Sequence, residues 1–128
     1  SHPMFGVVTE WYYRWLGGIR PDPKHPGFKE FTLNPSTPKG LDHVNSTYNS
    51  PFGKIVSNWK KESNDSYRYE MVIPEGGIAN VLLPVSSSQE IKIRNRLSNI
   101  DIVNIKNLKS GNFKLNNGDY IIRVSDIK

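Results

Sequence analysis

The chain has 128 residues, of which 36% are hydrophobic and 23% are charged, and its formal net charge is +5. These values are typical of one globular domain with its own core, and they exclude an intrinsically disordered chain. The lack of cysteine excludes a disulfide framework and thiolate catalysis. No apolar run approaches the roughly 20 residues of a membrane-spanning helix, so no membrane span is predicted.

The N-terminal segment from Met4 to Leu16 is predicted to form a helix. Its apolar residues fall on two adjacent stripes at helical spacing, the first with Phe5, Val8, Tyr12 and Trp15 and the second with Met4, Val7 and Trp11. Gly17 and Gly18 predict the end of the helix, because glycine readily adopts the left-handed conformation that terminates helices. A helix that is apolar on nearly all sides is normally buried. We therefore expect it to pack on the rest of the chain, on a second copy, or on a larger missing body, which explains its apolarity best.

A proline-rich segment, IRPDPKHPG, follows the helix. Its three prolines predict neither helix nor regular strand, so it is interpreted as a stiff linker between two structural units. The predicted organisation is a helix over residues 1–20, a linker over 21–27 and a β domain over 28–128.

The remainder of the chain consists of short segments with strand-like alternation, separated by turn residues. The predicted strands cover residues 27–33, 41–49, 53–62, 66–74, 78–85, 90–94, 100–105, 111–115 and 118–124. The apolar run 78–85 predicts a strand covered on both faces. This spacing is typical of an antiparallel sandwich or barrel, and we predict a mainly-β sandwich of jelly-roll or Greek-key type.

Basic residues are spread along the chain, and the densest group is Lys92, Arg94 and Arg96. They alternate with Ile91 and Ile93, which predicts a half-buried strand with its charged side in water. Phosphate binding would call for a clustered patch with aromatic side chains beside it. A solvated strand face is therefore favoured, and no nucleic-acid partner is predicted.

Residues able to carry catalysis or bind a metal are few. The histidines His2, His25 and His43 stand singly, which disfavours a metal site. Glu10 is the one acidic residue of the predicted helix, and pairing with Arg14 one turn later is favoured over a catalytic role. No motif for nucleophilic catalysis or phosphate binding is present.

Four aromatic residues of the β segments allow two interpretations. Trp59, Tyr48, Tyr67 and Tyr69 could form a surface platform on which sugars stack, or they could fill the core of a sandwich. The core is favoured, because aromatic side chains of sandwiches usually pack there.

The segment SHPMFGVVTEWYYRWLGGIRPD resembles the junction between the catalytic barrel and the C-terminal domain of bacterial α-L-rhamnosidases, glycoside hydrolase family 78. The matching positions are His2, Gly6, Glu10, Trp11, Gly18, Ile19, Arg20, Pro21 and Asp22. PGFKEFTLNPSTPKGLDHVNSTYNSPFGKIVSNWK and MVIPEGGIANVLLP are similar to the family's first C-terminal strands and to a later segment, and GDYIIRV is similar to its closing strand. The resemblance covers essentially the whole chain.

The resemblance implies that the N-terminal helix is the last helix of an (α/α)₆ barrel and that the β domain is an accessory sandwich. Family members hydrolyse terminal α-L-rhamnose with inversion, using an acid and a base glutamate that both lie upstream of the first residue here. The chain is therefore expected to be a C-terminal segment without catalytic residues. His2 matches the histidine that contacts the rhamnose; the family often has asparagine before it, where this chain has Ser1.

The implied partners are a rhamnose-containing carbohydrate, bound through the missing barrel, and the rest of that barrel or a second copy of the helix. No cofactor and no metal are implied. The sequence does not fix the compartment, although a periplasmic or secreted parent enzyme is compatible with it. Two other functions stay open: a stand-alone carbohydrate-binding module, and an interaction domain that hides its helix in an oligomer.

Overall fold

The computed structural model describes residues 16–22, 29–97, 100–105 and 111–127. The described part is mostly β. Its ten strands are β1 (Ile19–Pro21), β2 (Glu30–Leu33), β3 (His43–Ser50), β4 (Gly53–Ser63), β5 (Ser66–Ile73), β6 (Ile78–Leu83), β7 (Gln89–Asn95), β8 (Ile100–Ile105), β9 (Gly111–Leu115) and β10 (Gly118–Asp126). No helix among these residues is long and apolar enough to cross a membrane.

The strands form two sheets. The smaller sheet has four strands in the order β1-β2-β6-β9, and the larger has six in the order β3-β4-β5-β10-β7-β8. All pairings are antiparallel except that of β2 with β6, which is parallel. The predicted β-sandwich is therefore confirmed, with one parallel pair that the alternation of residues along the chain does not reveal.

The core lies between the inner faces of the sheets. Alternation is clear in β3, β4 and β10, where the buried residues are two positions apart. Phe31, Trp59, Tyr69, Met71 and Ile122 are among the largest side chains that are fully buried. Burial of such side chains is worth roughly 1.5–3 kcal/mol each, so this inner layer supplies much of the stability.

Two local predictions are wrong. The sequence places Ile19–Pro21 at the end of the predicted helix and the start of the linker, yet these residues form a three-residue strand that pairs antiparallel with β2. Because β1 is an edge strand, Pro21 is tolerated there although it has no N–H to donate. The apolar run at β6 alternates between buried and half-buried residues, so only one of its faces is fully covered.

The predicted N-terminal helix lies almost wholly outside the described residues. Leu16 and Gly17 are described, and both have helical backbone. Gly18 follows with a φ of 72°, the left-handed conformation predicted to end the helix. The linker prediction for residues 23–27 also lies outside the described part.

Candidate functional site

The first feature that could carry function is the point where the helix end enters the sandwich. Leu16 and Ile19 are only 1% and 2% exposed, and Gly17 and Gly18 between them are buried as well. The carbonyl of Leu16 accepts a hydrogen bond from the N–H of Ser36 at 3.0 Å, and the carbonyl of Gly18 accepts one from Asn34 at 3.0 Å. We call residues 16–19 the junction. It is bonded to the sandwich through its backbone and packed through its side chains.

Two small residues of the larger sheet make room for the junction. Ser46 on β3 and Ser57 on β4 are both buried on the inner face, and Ser57 Oγ donates a hydrogen bond of 2.5 Å to the Gly17 carbonyl. This bond satisfies one of the carbonyl groups that a helix leaves unpaired at its C-terminus. A Cβ on Gly17 would overlap the Cβ of Ser46, so nothing larger than glycine fits at this point.

Gly18 is constrained by two independent requirements. Its φ of 72° is unfavourable for residues with a side chain, and a Cβ at this position would collide with the carbonyl group of Asn34. The paired glycines therefore both end the helix and allow its end to approach the strands closely.

The four aromatic residues do not form a surface platform. Trp59 and Tyr69 are 2% and 0% exposed, and Tyr48 and Tyr67 are half-buried against the same core. Tyr67 lies edge-on to Trp59, with ring centres 6.0 Å apart. Burial, and to a smaller degree the neighbouring Tyr67, raise the pKa of Tyr69. The favoured interpretation of these residues as core is confirmed.

The second feature is a shallow cavity of about 270 Å³ on the outer face of β3, β4 and β5. Strand register places its polar side chains in two cross-strand rows: His43, Lys60 and Arg68, and beside them Asn45, Asn58 and Glu70. The Oδ1 atom of Asn58 accepts a hydrogen bond of 2.9 Å from the N–H of Ser46, which orients the amide. Hydrogen-bonding and charged groups therefore converge at one place on an otherwise open sheet face.

Ion pairs extend from this cavity across the outer face. Arg68 Nη2 lies 3.3 Å from Glu70 Oε1, and Arg96 Nη1 lies 3.5 Å from Glu70 Oε2. Arg96 also binds Asp119 Oδ1 through Nη2 at 2.6 Å. Lys92 and Arg94 are exposed on the same face, as the strand alternation predicts.

The residues singled out by the sequence fall in different places. His2, Glu10 and His25 lie outside the described residues, so the proposed contact of His2 with rhamnose stays a prediction. His43 is exposed at the rim of the outer cavity. Within the described ranges, no group of three or more His, Cys, Asp or Glu residues is arranged to hold a metal ion.

Sequence reasoning missed Ser46 and Ser57. Both have the same parity as the buried Val44, Ile55 and Trp59 of their strands, and this signal would have placed them on the inner face. Their polarity argues the other way, since serine is mostly exposed. They are buried because the junction covers them.

The chain is similar to known proteins along nearly its whole length. Residues 18–98, more than half of the chain, match the family described as the bacterial alpha-L-rhamnosidase C-terminal domain. Two curated proteins named alpha-L-rhamnosidase, both from Formosa agariphila, are 29% identical over 109 residues and 27% identical over 124 residues. The matches cover 85% and 95% of this chain but only 11% and 13% of the relatives. The chain thus spans about a tenth of the length of these proteins.

Solved structures show the same fold. An alpha-L-rhamnosidase from Dictyoglumus thermophilum matches 96% of this chain with a TM-score of 0.74 at 20% identity, over 14% of its own chain. The Streptomyces avermitilis alpha-L-rhamnosidase, solved in complex with L-rhamnose, matches 94% with a TM-score of 0.68 at 18% identity, over 11% of its own chain. The family match, which begins one residue after the buried Gly17 and covers more than half of the chain, identifies it: the chain belongs to the bacterial α-L-rhamnosidase C-terminal domain family.

Proposed function

We propose that this chain is the accessory C-terminal sandwich of an α-L-rhamnosidase, together with the last helix of its catalytic barrel. The barrel would hydrolyse terminal α-L-rhamnose with inversion, and both catalytic glutamates would lie in it, upstream of Ser1. The curated relatives support this proposal, because both are named for that activity and are much longer than the segment that they share with this chain.

The observation that carries the accessory role is the buried junction. The side chain of Leu16 fills space inside the sandwich. The three consecutive carbonyls of residues 16–18 accept hydrogen bonds, in chain order, from the N–H of Ser36, the hydroxyl of Ser57 and the N–H of Asn34. A connection that is packed and bonded in this way does not act as a flexible tether. The sandwich would therefore hold the end of the last barrel helix in a fixed position, which favours stable closure of the barrel.

The anchored junction would help to hold His2 in position in the complete enzyme. His2 stands at the start of the segment whose end the junction anchors, and we propose that it contacts the rhamnose in the complete enzyme. A stand-alone module that binds sugars by aromatic stacking gains less support, because Trp59 and Tyr69, which would form its stacking platform, are inside the core. Without the barrel, we expect the apolar helix to drive self-association, since it would present a large apolar patch.

The test is hydrolysis of an aryl α-L-rhamnoside by this chain and by a chain extended on its N-terminal side to the length of the relatives. We expect no turnover by the 128 residues and turnover by the extended chain. In the extended chain, His2→Ala should raise KM more than it lowers kcat, whereas His25→Ala, in the proline-rich segment, is the matched control and should change neither.

Turnover by the 128 residues alone would contradict the proposal, and Glu10 would then be the first carboxylate to replace. An extended chain that folds but does not hydrolyse the rhamnoside would equally refute it.

A further inference from the structure

Strand register assembles a line of basic side chains that the linear sequence does not show. His43 lies opposite Lys60, Lys60 opposite Arg68, Arg68 opposite Arg123, and Arg123 opposite Lys92. Residues directly opposite each other point to the same face of a sheet. These five residues, the basic row, therefore cross the outer face from β3 to β7. Strands lie about 4.8 Å apart, so the row is roughly 19 Å long.

Folding does not account for this arrangement. Like charges directly opposite each other in a sheet are destabilising, and the row repeats that contact from Lys60 to Lys92. In the described part of the chain, three residues of the row have one carboxylate each within 4 Å: Glu70 lies 3.3 Å from Arg68, Glu62 lies 3.8 Å from Arg123, and Glu90 lies 3.7 Å from Lys92. Glu70 is shared with Arg96. Among the described residues, neither Lys60 nor His43 has an ion-pair partner. The positive charge of the row is thus only partly neutralised by the protein.

The cavity described above lies at the β3 end of the row. It is lined by Asn45, Asn58 and Glu70, whose amide and carboxylate groups are suited to hydroxyls. Beside them are His43 and two cations suited to an acid group, Lys60 and Arg68. The guanidinium of Arg68 has five N–H donors; its Nη2 lies 3.3 Å from Glu70 Oε1, and its Nε is buried without a hydrogen-bond partner among the described residues. The protein therefore does not saturate the hydrogen-bonding capacity of this guanidinium.

We propose that the outer face of the larger sheet binds an anionic glycan, a sugar chain that bears carboxylate or sulfate groups. One sugar residue would occupy the cavity, with its hydroxyls on Asn45 and Asn58 and its acid group on Arg68 and Lys60. The chain would then continue over Arg123 and Lys92, because the spacing of the strands is comparable to the length of one pyranose residue.

Two considerations favour a glycan over another polyanion. In the described strands β3, β4, β5, β7 and β10, no phenylalanine, tyrosine or tryptophan stands at a position that faces outward. The outer face of these strands therefore lacks the stacking platform that single-stranded nucleic acids require. The choice of a glycan also rests on the proposed function, since a rhamnosidase domain that holds a charged polysaccharide would keep its substrate near the barrel.

Binding is tested by titrating the chain with polygalacturonate, with dextran sulfate and with neutral dextran, at low and at physiological ionic strength. A row variant carries Lys60→Gln, Lys92→Gln and Arg123→Gln. A control variant loses the same three charges elsewhere, through Lys29→Gln, Lys39→Gln and Lys114→Gln. We expect at least one anionic glycan to bind the original chain. Its affinity for the row variant should be roughly tenfold lower, whereas its affinity for the control variant should be close to that for the original chain. Thermal unfolding of each variant verifies that it is folded.

Preference for polygalacturonate or for dextran sulfate would assign the acid group as carboxylate or sulfate. Equal binding of dextran, equal weakening of both variants, or no binding of either anionic glycan would overturn the proposal. Tighter binding of single-stranded DNA through the same row would overturn the assignment to a glycan.

Hydrolysis separates this inference from the proposed function. In the extended chain, the row variant should keep its kcat/KM on a neutral aryl rhamnoside, because the row lies away from the junction. Glycan binding by an extended chain that hydrolyses no rhamnoside would refute the proposed function and leave the anion-binding face standing.

Discussion

The two faces of the six-stranded sheet follow different physical rules. On the inner face, the core side chains of β3, β4, β5, β7 and β10 are excluded from water, and even the hydroxyl of Ser57 is bonded to the junction. On the outer face, cations lie opposite one another and repel, although neutral polar residues at these solvent-exposed positions would avoid the repulsion. Burial on the inner face stabilises the fold. Repulsion between cations on the outer face destabilises it, and we attribute that arrangement to ligand binding. Substitutions on the two faces should therefore separate folding from binding.

The largest effect is expected at the junction, from Leu16→Ala. The side chain is 1% exposed, so its removal leaves a cavity and should lower the free energy of unfolding by about 3 kcal/mol. Urea denaturation measures the change. Leu97→Ala removes the same atoms at a position that is 79% exposed and should cost less than about 0.5 kcal/mol. Equal losses at the two positions would show that the junction is not packed as described.

Gly17→Ala tests the close approach of the helix end to the sheet. The added Cβ overlaps that of Ser46, and such overpacking should lower the free energy of unfolding by about 2 kcal/mol. Ser46→Gly removes the obstructing atom, so the double variant should recover part of the loss, as a double-mutant cycle in urea would show. Strict additivity of the two single changes would argue against direct contact.

The buried tyrosines predict a loss of stability in alkali. Unfolded tyrosine ionises near pH 10, whereas burial and Tyr67 raise the pKa of Tyr69 in the folded protein. Because the folded pKa is the higher one, the stabilisation is complete below about pH 10 and is lost as the pH rises towards the folded pKa. At about pH 11, the loss from Tyr69 should reach about 1.4 kcal/mol.

Urea unfolding of Tyr69→Phe at neutral and at alkaline pH provides the measurement. The variant should be about as stable as the original chain at neutral pH, because the Tyr69 hydroxyl is buried without a hydrogen-bond partner among the described residues. Its alkaline loss should be smaller. Tyr48→Phe leaves Tyr69 in place and should keep the original loss; an unchanged loss in Tyr69→Phe would contradict the assignment.

The smallest effect on stability is expected on the outer face, from Arg123→Gln. This change removes a cation from between Arg68 and Lys92 and breaks only an exposed ion pair of 3.8 Å with Glu62. The free energy of unfolding should stay within about 0.5 kcal/mol of its original value or rise slightly at low salt. A clear fall in the thermal unfolding midpoint would mean that the basic row serves folding after all.

The sequence predicts those parts of this fold that are encoded locally. Strands β3 to β10 follow from alternation and turn residues, and the end of the helix follows from Gly17 and Gly18. Strand β1 was missed, because prolines hide a short edge strand that owes its existence to its partner β2. The parallel pairing of β2 with β6 depends on chain segments far apart, so no local pattern reveals it.

The candidate sites divide in the same way. The densest group of cations along the sequence is Lys92, Arg94 and Arg96, which are spaced two residues apart. Register instead places Lys92 in a line with Arg123 and Arg68, while Arg96 is occupied by Glu70 and Asp119. A patch built across strands becomes visible only when the strand order is known.

The position of β10 has a consequence for biosynthesis. This strand is the last of the ten to leave the ribosome, yet it lies between β5 and β7 and contributes Tyr120, Ile122 and Val124 to the core. The larger sheet cannot close before residue 126 has been synthesised, so the edges of β5 and β7 that pair with β10 stay open until then. We therefore expect nascent chains that stop before Gly118 to depend on chaperones, and the sandwich to fold only after synthesis has passed its final strand.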